Sequence, residues 1–82
     1  MKETVLVGDI DKMHKNPIAE LVQAACAFNS HIEIISEGKS INAKSLMGIM
    51  AFGLKPGIEV VISAEGDDAS QAVESIKQFL TC

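Results

Sequence analysis

The sequence predicts an α+β fold in which a four-stranded antiparallel sheet carries three helices on one face. The chain has 82 residues, which is enough for one domain, and 48% of them are hydrophobic. Four short stretches are strand-like in composition and three others repeat apolar residues at helical spacing. The predicted order is therefore β-α-β-β-α-β-α within a single domain over residues 1–82, and each helix can cover the sheet with one apolar face.

The four predicted strands cover residues 3–8, 31–37, 40–43 and 58–65. Aliphatic and β-branched residues dominate the first strand, and the fourth alternates most clearly between two faces. Gly38 lies between the second and third strands, where a glycine can adopt the positive φ of a hairpin turn.

The three predicted helices cover residues 15–28, 46–52 and 68–80. The first helix repeats apolar residues at positions 18, 21, 22, 25 and 28, which is the spacing of one buried stripe. Gly53 is placed to end the second helix, and Asp68 precedes Gln71 at the spacing of a capping box for the third.

Composition argues against several classes of function. The net charge of −4 disfavours binding to nucleic acid or to an anionic membrane surface. No stretch approaches the roughly 20 apolar residues of a membrane span, and the first residues lack a signal-peptide pattern, so we expect a cytoplasmic protein.

Cys26 and Cys82 are far apart without a histidine at metal-ligand spacing, so we predict no metal site and no cofactor. Cys26 is expected to be a small buried hydrophobe.

His14 is the candidate functional residue, because it lies between the first strand and the first helix. As the N-cap, its ring would face the free N–H groups of the following residues, which can hold a phosphoryl group. The positive end of the helix would also favour a neutral, nucleophilic ring. Pro17 fits the first helical turn and would stiffen the loop. An ordinary exposed loop histidine is the alternative, and the more common case for such a residue. His31 is expected at a solvent edge.

Two motifs resemble those of the HPr family, the histidine phosphocarriers of the bacterial phosphotransferase system. Residues 12–17 read Lys-Met-His-Lys-Asn-Pro, similar to the family pattern Gly-aliphatic-His-Ala-Arg-Pro. Residues 44–50 read Lys-Ser-Leu-Met-Gly-Ile-Met and are followed by Gly-Leu-Lys at 53–55, which is a closer match. The likeness continues through residues 63–68 and 72–73, so it spans essentially the whole chain.

The resemblance implies an HPr-like open-faced β-sandwich and a phosphoryl carrier rather than a turnover catalyst. His14 would accept phosphate from enzyme I and pass it to an EIIA domain during sugar transport. The family arginine that neutralises this phosphate is Asn16 here, and Lys15 replaces the alanine before it. A lysine on a flexible stem would be an imperfect substitute, so slower transfer or a paralogous partner is expected.

Ser45 has a structural and a regulatory interpretation. It is suited to cap the helix that begins at Leu46. By resemblance it also matches the regulatory serine that HPr kinase/phosphorylase modifies. The alternative function is thus an HPr paralogue that acts mainly through phospho-Ser45 on a transcription regulator in carbon catabolite repression. Leu46, Met47 and Met50 are expected to form an exposed apolar patch near His14 for partner binding.

A third hypothesis is an unrelated small-molecule-sensing domain. Such modules usually pair two similar βαβ halves, and the helices predicted here are unequal. The segment at residues 44–50 also favours the phosphocarrier interpretation.

Overall fold

The structure is a computed structural model that describes residues 1–54 and 56–81, with only the backbone described for Asp11 and Met13. The strands are β1 (Lys2–Leu6), β2 (His31–Ser36), β3 (Lys39–Asn42) and β4 (Glu59–Glu65). The helices are α1 (Ile10–Met13), α2 (Pro17–Cys26), α3 (Leu46–Phe52) and α4 (Ala69–Thr81).

The strands form one four-stranded antiparallel sheet in the order β1-β4-β2-β3. Strand β4 is central and pairs with β1 on one side and β2 on the other. The β2–β3 hairpin turns through Glu37 and Gly38, whose φ angles of 52° and 80° are the positive values that a tight two-residue turn requires. The predicted α+β fold is confirmed.

The core lies between the sheet and the helices. Alternate residues of β4, at Val60, Ile62 and Ala64, are buried, as the strand pattern predicts. Helix α4 packs against β1, β2 and β4, while α2 packs against α3 and α4. None of the helices in the described residues has the length and apolar character that a membrane crossing requires.

Helix α2 buries Leu21 and Ala25, with Ile18, Val22 and Phe28 partly buried beside them. The prediction that Cys26 is buried is wrong, because its side chain is exposed. One residue turns an α-helix by about 100°, so the position after buried Ala25 lies on the solvent side. Cys82 lies outside the described residues.

Helix α4 begins at Ala69, directly after Asp68, and the Asp68 side chain is bonded to a segment far away in the sequence. The carboxylate of Asp68 accepts hydrogen bonds from the backbone N–H groups of Asn29 and Ser30, both at 2.9 Å, and from the Ser30 hydroxyl. It therefore links the α2–β2 loop to the start of α4. Lys55, the last residue of the Gly-Leu-Lys segment at 53–55, lies outside the described residues.

Candidate functional site

His14 lies in the loop between α1 and α2, and it is not the N-cap of α2. Its backbone is extended, with φ −132° and ψ 142°, and its N–H donates to the carbonyl of Ile10 at 3.0 Å. The N-cap is Asn16, because Pro17 occupies the first helical position and excludes the residue before it from helical geometry. The prediction that His14 is the N-cap is therefore wrong, because the N-cap lies two residues later. Pro17 lies in the first helical turn, as predicted.

The imidazole ring is held between α2 and α4. It stacks on the ring of Phe79, with centroids 3.9 Å apart and an interplanar angle of 6°. Its Nε2 lies 3.4 Å from the carbonyl oxygen of Phe79, and its Nδ1 lies 3.3 Å from Oε1 of Glu20. The side chain remains 22% exposed. The ring is thus oriented by two helices and still reachable from solvent.

Glu20 connects this ring to the start of α2. Its second carboxylate oxygen, Oε2, accepts a hydrogen bond from the backbone N–H of Asn16 at 2.9 Å. The first bond within the helix runs from the N–H of Glu20 to the carbonyl of Asn16. The N–H groups of Ile18 and Ala19 precede that bond, so they have no acceptor within the helix and face its open end.

The segment between β1 and α1 is bonded to the last turn of α4. The N–H of Gly8 donates to the carbonyl of Leu80 at 2.7 Å. A Cβ on Gly8 would lie 3.3 Å from that carbonyl oxygen, which is tighter than a normal contact. A residue without a side chain therefore allows the backbone before α1 to approach the end of α4 closely.

The predicted apolar patch is exposed, and part of it borders the histidine loop. Met47 is 82% exposed, and Leu46 and Met50 are also exposed, whereas Ile49 is buried between them in sequence. An open hollow of about 280 Å³ joins this helix to the start of α2; it is lined by Lys15, Asn16, Pro17, Ile18, Ala19, Leu46 and Met50.

The contacts recorded for the lysines of the described residues do not include the His14 ring. Lys15 is exposed, and the ion pairs of the described residues do not include it. Lys12 forms only a long, exposed pair with Asp9 at 3.9 Å. Lys44 donates to the carbonyl of Phe28 at 2.7 Å, so its ammonium is engaged at the end of α2. Among the described residues, the charged group paired with the His14 ring is the Glu20 carboxylate.

Ser45 is the N-cap of α3, as predicted. Its Oγ accepts a hydrogen bond from the backbone N–H of Gly48 at 3.1 Å, and its backbone is extended. At the other end Gly53 adopts the left-handed conformation, with φ 80° and ψ 46°, so both predicted ends of this helix are confirmed.

His31 is exposed at the start of β2, and its Nε2 lies 3.3 Å from Oε2 of Glu33. Within the described residues, no three His, Cys, Asp or Glu side chains converge as a metal site would require.

The family described as "PTS HPr component phosphorylation site" matches residues 1–81 of the chain. The chain belongs to the HPr family. It is 40% identical to the phosphocarrier protein HPr of Mycoplasma capricolum over 96% of this chain and 89% of that protein. It superimposes on HPr of Bacillus anthracis with a TM-score of 0.91 at 34% identity, over 99% of this chain and 96% of the other. The solution structure of Crh, the catabolite repression HPr of Bacillus subtilis, gives a TM-score of 0.72 at 32% identity, over 99% and 96%.

Membership of the HPr family makes this protein a phosphocarrier of the phosphotransferase system, a carrier rather than a catalyst. It also implies enzyme I and EIIA as partners and a cytoplasmic location.

Sequence reasoning did not find two of the residues that contact the ring. Phe79 is 65 positions from His14, and only the tertiary fold brings them together. Glu20 did carry a signal, since it is a carboxylate in the first turn of a helix that follows the histidine motif.

Proposed function

We propose that the chain acts as one phosphocarrier domain over residues 1–82, with His14 as the residue that accepts a phosphoryl group from enzyme I and passes it to EIIA. The observation that carries this proposal is the placement of a partly exposed imidazole between the end of α4 and the start of α2. Nδ1 is the accepting nitrogen in this proposal, because Nε2 faces the Phe79 carbonyl and can donate its proton there.

The start of α2 would stabilise the acquired charge. The N–H groups of Ile18 and Ala19, together with the positive end of the helix dipole, favour an anion at this place. Lys15 is the cation next to His14, and Asn16 can add neutral hydrogen bonds. Charge-assisted bonds are about twice as strong as neutral ones, so this set would hold the phosphate less firmly than one containing an arginine.

The patch of Leu46, Met47 and Met50 is proposed as the partner-binding surface. It is apolar and exposed, and two of its side chains, Leu46 and Met50, border the hollow next to the histidine loop. Methionine side chains adapt their shape, which suits a surface that must bind a donor and an acceptor in turn.

Labelling by enzyme I and phosphoenolpyruvate tests the role of His14. The wild type should gain the mass of one phosphoryl group in an acid-labile linkage, and His14→Ala should gain none. His31→Ala is the matched control, since it removes the other histidine of the chain, and it should be labelled at the wild-type rate. An unlabelled wild type beside a labelled HPr of another species would contradict the proposal.

A second candidate function is regulation through phosphorylation of Ser45. The similarity to Crh favours it, as does the position of Ser45 at the start of α3, where added negative charge is compatible with the helix dipole. A phosphate there would stand beside Leu46 and change the charge of the proposed partner-binding surface.

The regulatory candidate requires modification by an HPr kinase/phosphorylase and a partner that detects it. The phosphorylated chain should bind a catabolite-control transcription regulator, and neither the unmodified chain nor Ser45→Ala should do so. Equal binding by modified and unmodified chains would exclude this function without affecting the carrier role of His14.

A further inference from the structure

Each nitrogen of the His14 ring faces an acceptor, and this arrangement is in tension with phosphoryl transfer. A neutral imidazole carries one N–H, so it can donate either to the Phe79 carbonyl or to the Glu20 carboxylate, but not to both. A nitrogen that attacks phosphorus must present its lone pair. When the proton is on Nε2, the lone pair of Nδ1 points toward a carboxylate oxygen 3.3 Å away.

The carboxylate of Glu20 also occupies the place where an acquired phosphate would find its donors. One oxygen is beside Nδ1, and the other accepts the N–H of Asn16 at 2.9 Å, at the start of α2. A phosphoryl group attached to Nδ1 would place its oxygens in the same position and would accept hydrogen bonds from the same N–H groups at the start of α2. Two anions cannot share this position without strong repulsion.

We propose that Glu20 is a positioning residue that acts as an internal substitute for the phosphoryl group, holding the unphosphorylated site in a resting arrangement and opposing its modification. This inference rests on the proposed role of His14. The Glu20 carboxylate must move away from Nδ1 and release the Asn16 N–H before or during phosphoryl transfer. The half-exposed position of Glu20 allows this, because its side chain can turn toward solvent without disturbing the core.

Phosphoryl transfer to Nδ1 does not require a proton to leave Nδ1. The Nδ1 lone pair forms the bond to phosphorus while the donor's bond to phosphorus breaks, and the electrons of that bond stay with the donor. The ring proton stays on Nε2, where it faces the Phe79 carbonyl. The phosphorylated ring then carries oxyanions where the Glu20 carboxylate had been, so Glu20 raises the free energy of the product as well as slowing its formation.

The equilibrium of transfer is the most direct readout, since it is independent of how well a partner docks. Wild type, Glu20→Gln and Glu74→Gln would each be equilibrated with enzyme I in mixtures of phosphoenolpyruvate and pyruvate, and the phosphorylated fraction measured by mass spectrometry. Glu74 lies on exposed helix surface, bonded to Gln78, so its variant makes the same change in net charge away from the ring.

We expect Glu20→Gln to raise the equilibrium constant for phosphorylation about tenfold, the effect of removing one close like charge at a partly exposed site. Glu74→Gln should match the wild type. The Asn16 amide resonance of the unphosphorylated protein should move in Glu20→Gln and stay in place in Glu74→Gln. Glu20→Ala should shift the equilibrium in the same direction as Glu20→Gln, which separates the loss of charge from any effect of the new amide.

An equilibrium constant for Glu20→Gln equal to or below that of the wild type, with both proteins labelled, would overturn the role of Glu20 and leave the carrier function intact. Failure of all variants to be labelled, beside a labelled HPr of another species, would overturn both proposals.

Discussion

At the scale of single residues, the ring of His14 is held from two sides by groups that belong to different helices. Phe79 supplies a stacked ring and a carbonyl from the end of α4, and Glu20 supplies a carboxylate from the first turn of α2. Stacking and one weak hydrogen bond orient the ring without burying it. The same contacts place the negative charge of Glu20 beside the proposed accepting nitrogen, and among the described residues the ion pairs place no lysine there.

Asn16→Arg should increase the initial rate of phosphorylation by enzyme I about tenfold, because a guanidinium would add charge-assisted bonds to the phosphate and offset the Glu20 carboxylate. The measurement is the rate of acid-labile labelling at limiting enzyme I. Gln23→Arg is the control, since it adds the same charge at an exposed position of α2. Equal acceleration by both variants would mean that general charge attraction, not the local position, limits the reaction.

The motif around His14 could be identified from the sequence, but its local geometry could not. His14 and Pro17 are in register with the family pattern, yet the N-cap falls on Asn16 because the proline determines where the helix begins. The contact with Phe79 depends on how α4 lies across the sheet, and periodicity within one segment contains no such information.

At the scale of elements, α3 is the segment that the sequence predicted best. Its bounds, Leu46–Phe52, agree with the expected 46–52 because both ends carry a specific chemical signal, a capping serine and a left-handed glycine. Helix α1 was not predicted, since four residues are too few to show a helical period.

Ser45→Ala should lower the free energy of unfolding by about 1 kcal/mol, because the N–H of Gly48 loses its side-chain acceptor at the start of α3. Ser45→Asp should retain most of the stability, since a carboxylate can accept the same bond and interacts favourably with the helix dipole. Urea unfolding followed by circular dichroism measures both. Equal losses in the two variants would show that the cap contributes little.

At the scale of the whole molecule, Asp68 links parts of the chain that are about half its length apart. Hydrogen bonds from the Ser30 hydroxyl and the Asn29 N–H hold the pKa of the Asp68 carboxyl below its ordinary value of 3.8. Ser30 is fully buried, and a Cβ at nearby Gly66 would lie only 2.6 Å from its Oγ. The α2–β2 loop and the start of α4 are therefore closely packed around this carboxylate.

The stabilisation by Asp68 should depend on pH. A carboxyl whose pKa is lower in the folded state stabilises that state above the unfolded value of 3.8, and the effect is lost as the pH falls through the folded-state pKa. Asp68→Asn should therefore be less stable than the wild type near neutral pH, and the difference should shrink below pH 3.8. Chemical unfolding across this range measures it, with exposed Asp67→Asn as the control. A difference independent of pH would show that loss of shape, not of charge, destabilises the variant.

The global fold could be predicted largely because strand alternation and helix periodicity agree with the family order. Six of the eight strand ends differ from prediction by one or two residues, since pairing partners rather than composition determine where a strand stops. The central position of β4, paired with both β1 and β2, is a property of the folded sheet that no single segment encodes.

The most direct test of the account is to identify the atom that carries the phosphate. Protein with ¹⁵N-labelled histidine would be phosphorylated by enzyme I and phosphoenolpyruvate and studied by long-range ¹H–¹⁵N NMR, which distinguishes the two ring nitrogens. The account predicts one phosphoryl group on Nδ1 of His14, with the proton retained on Nε2. A phosphoryl group on Nε2, on His31 or on neither histidine would contradict it.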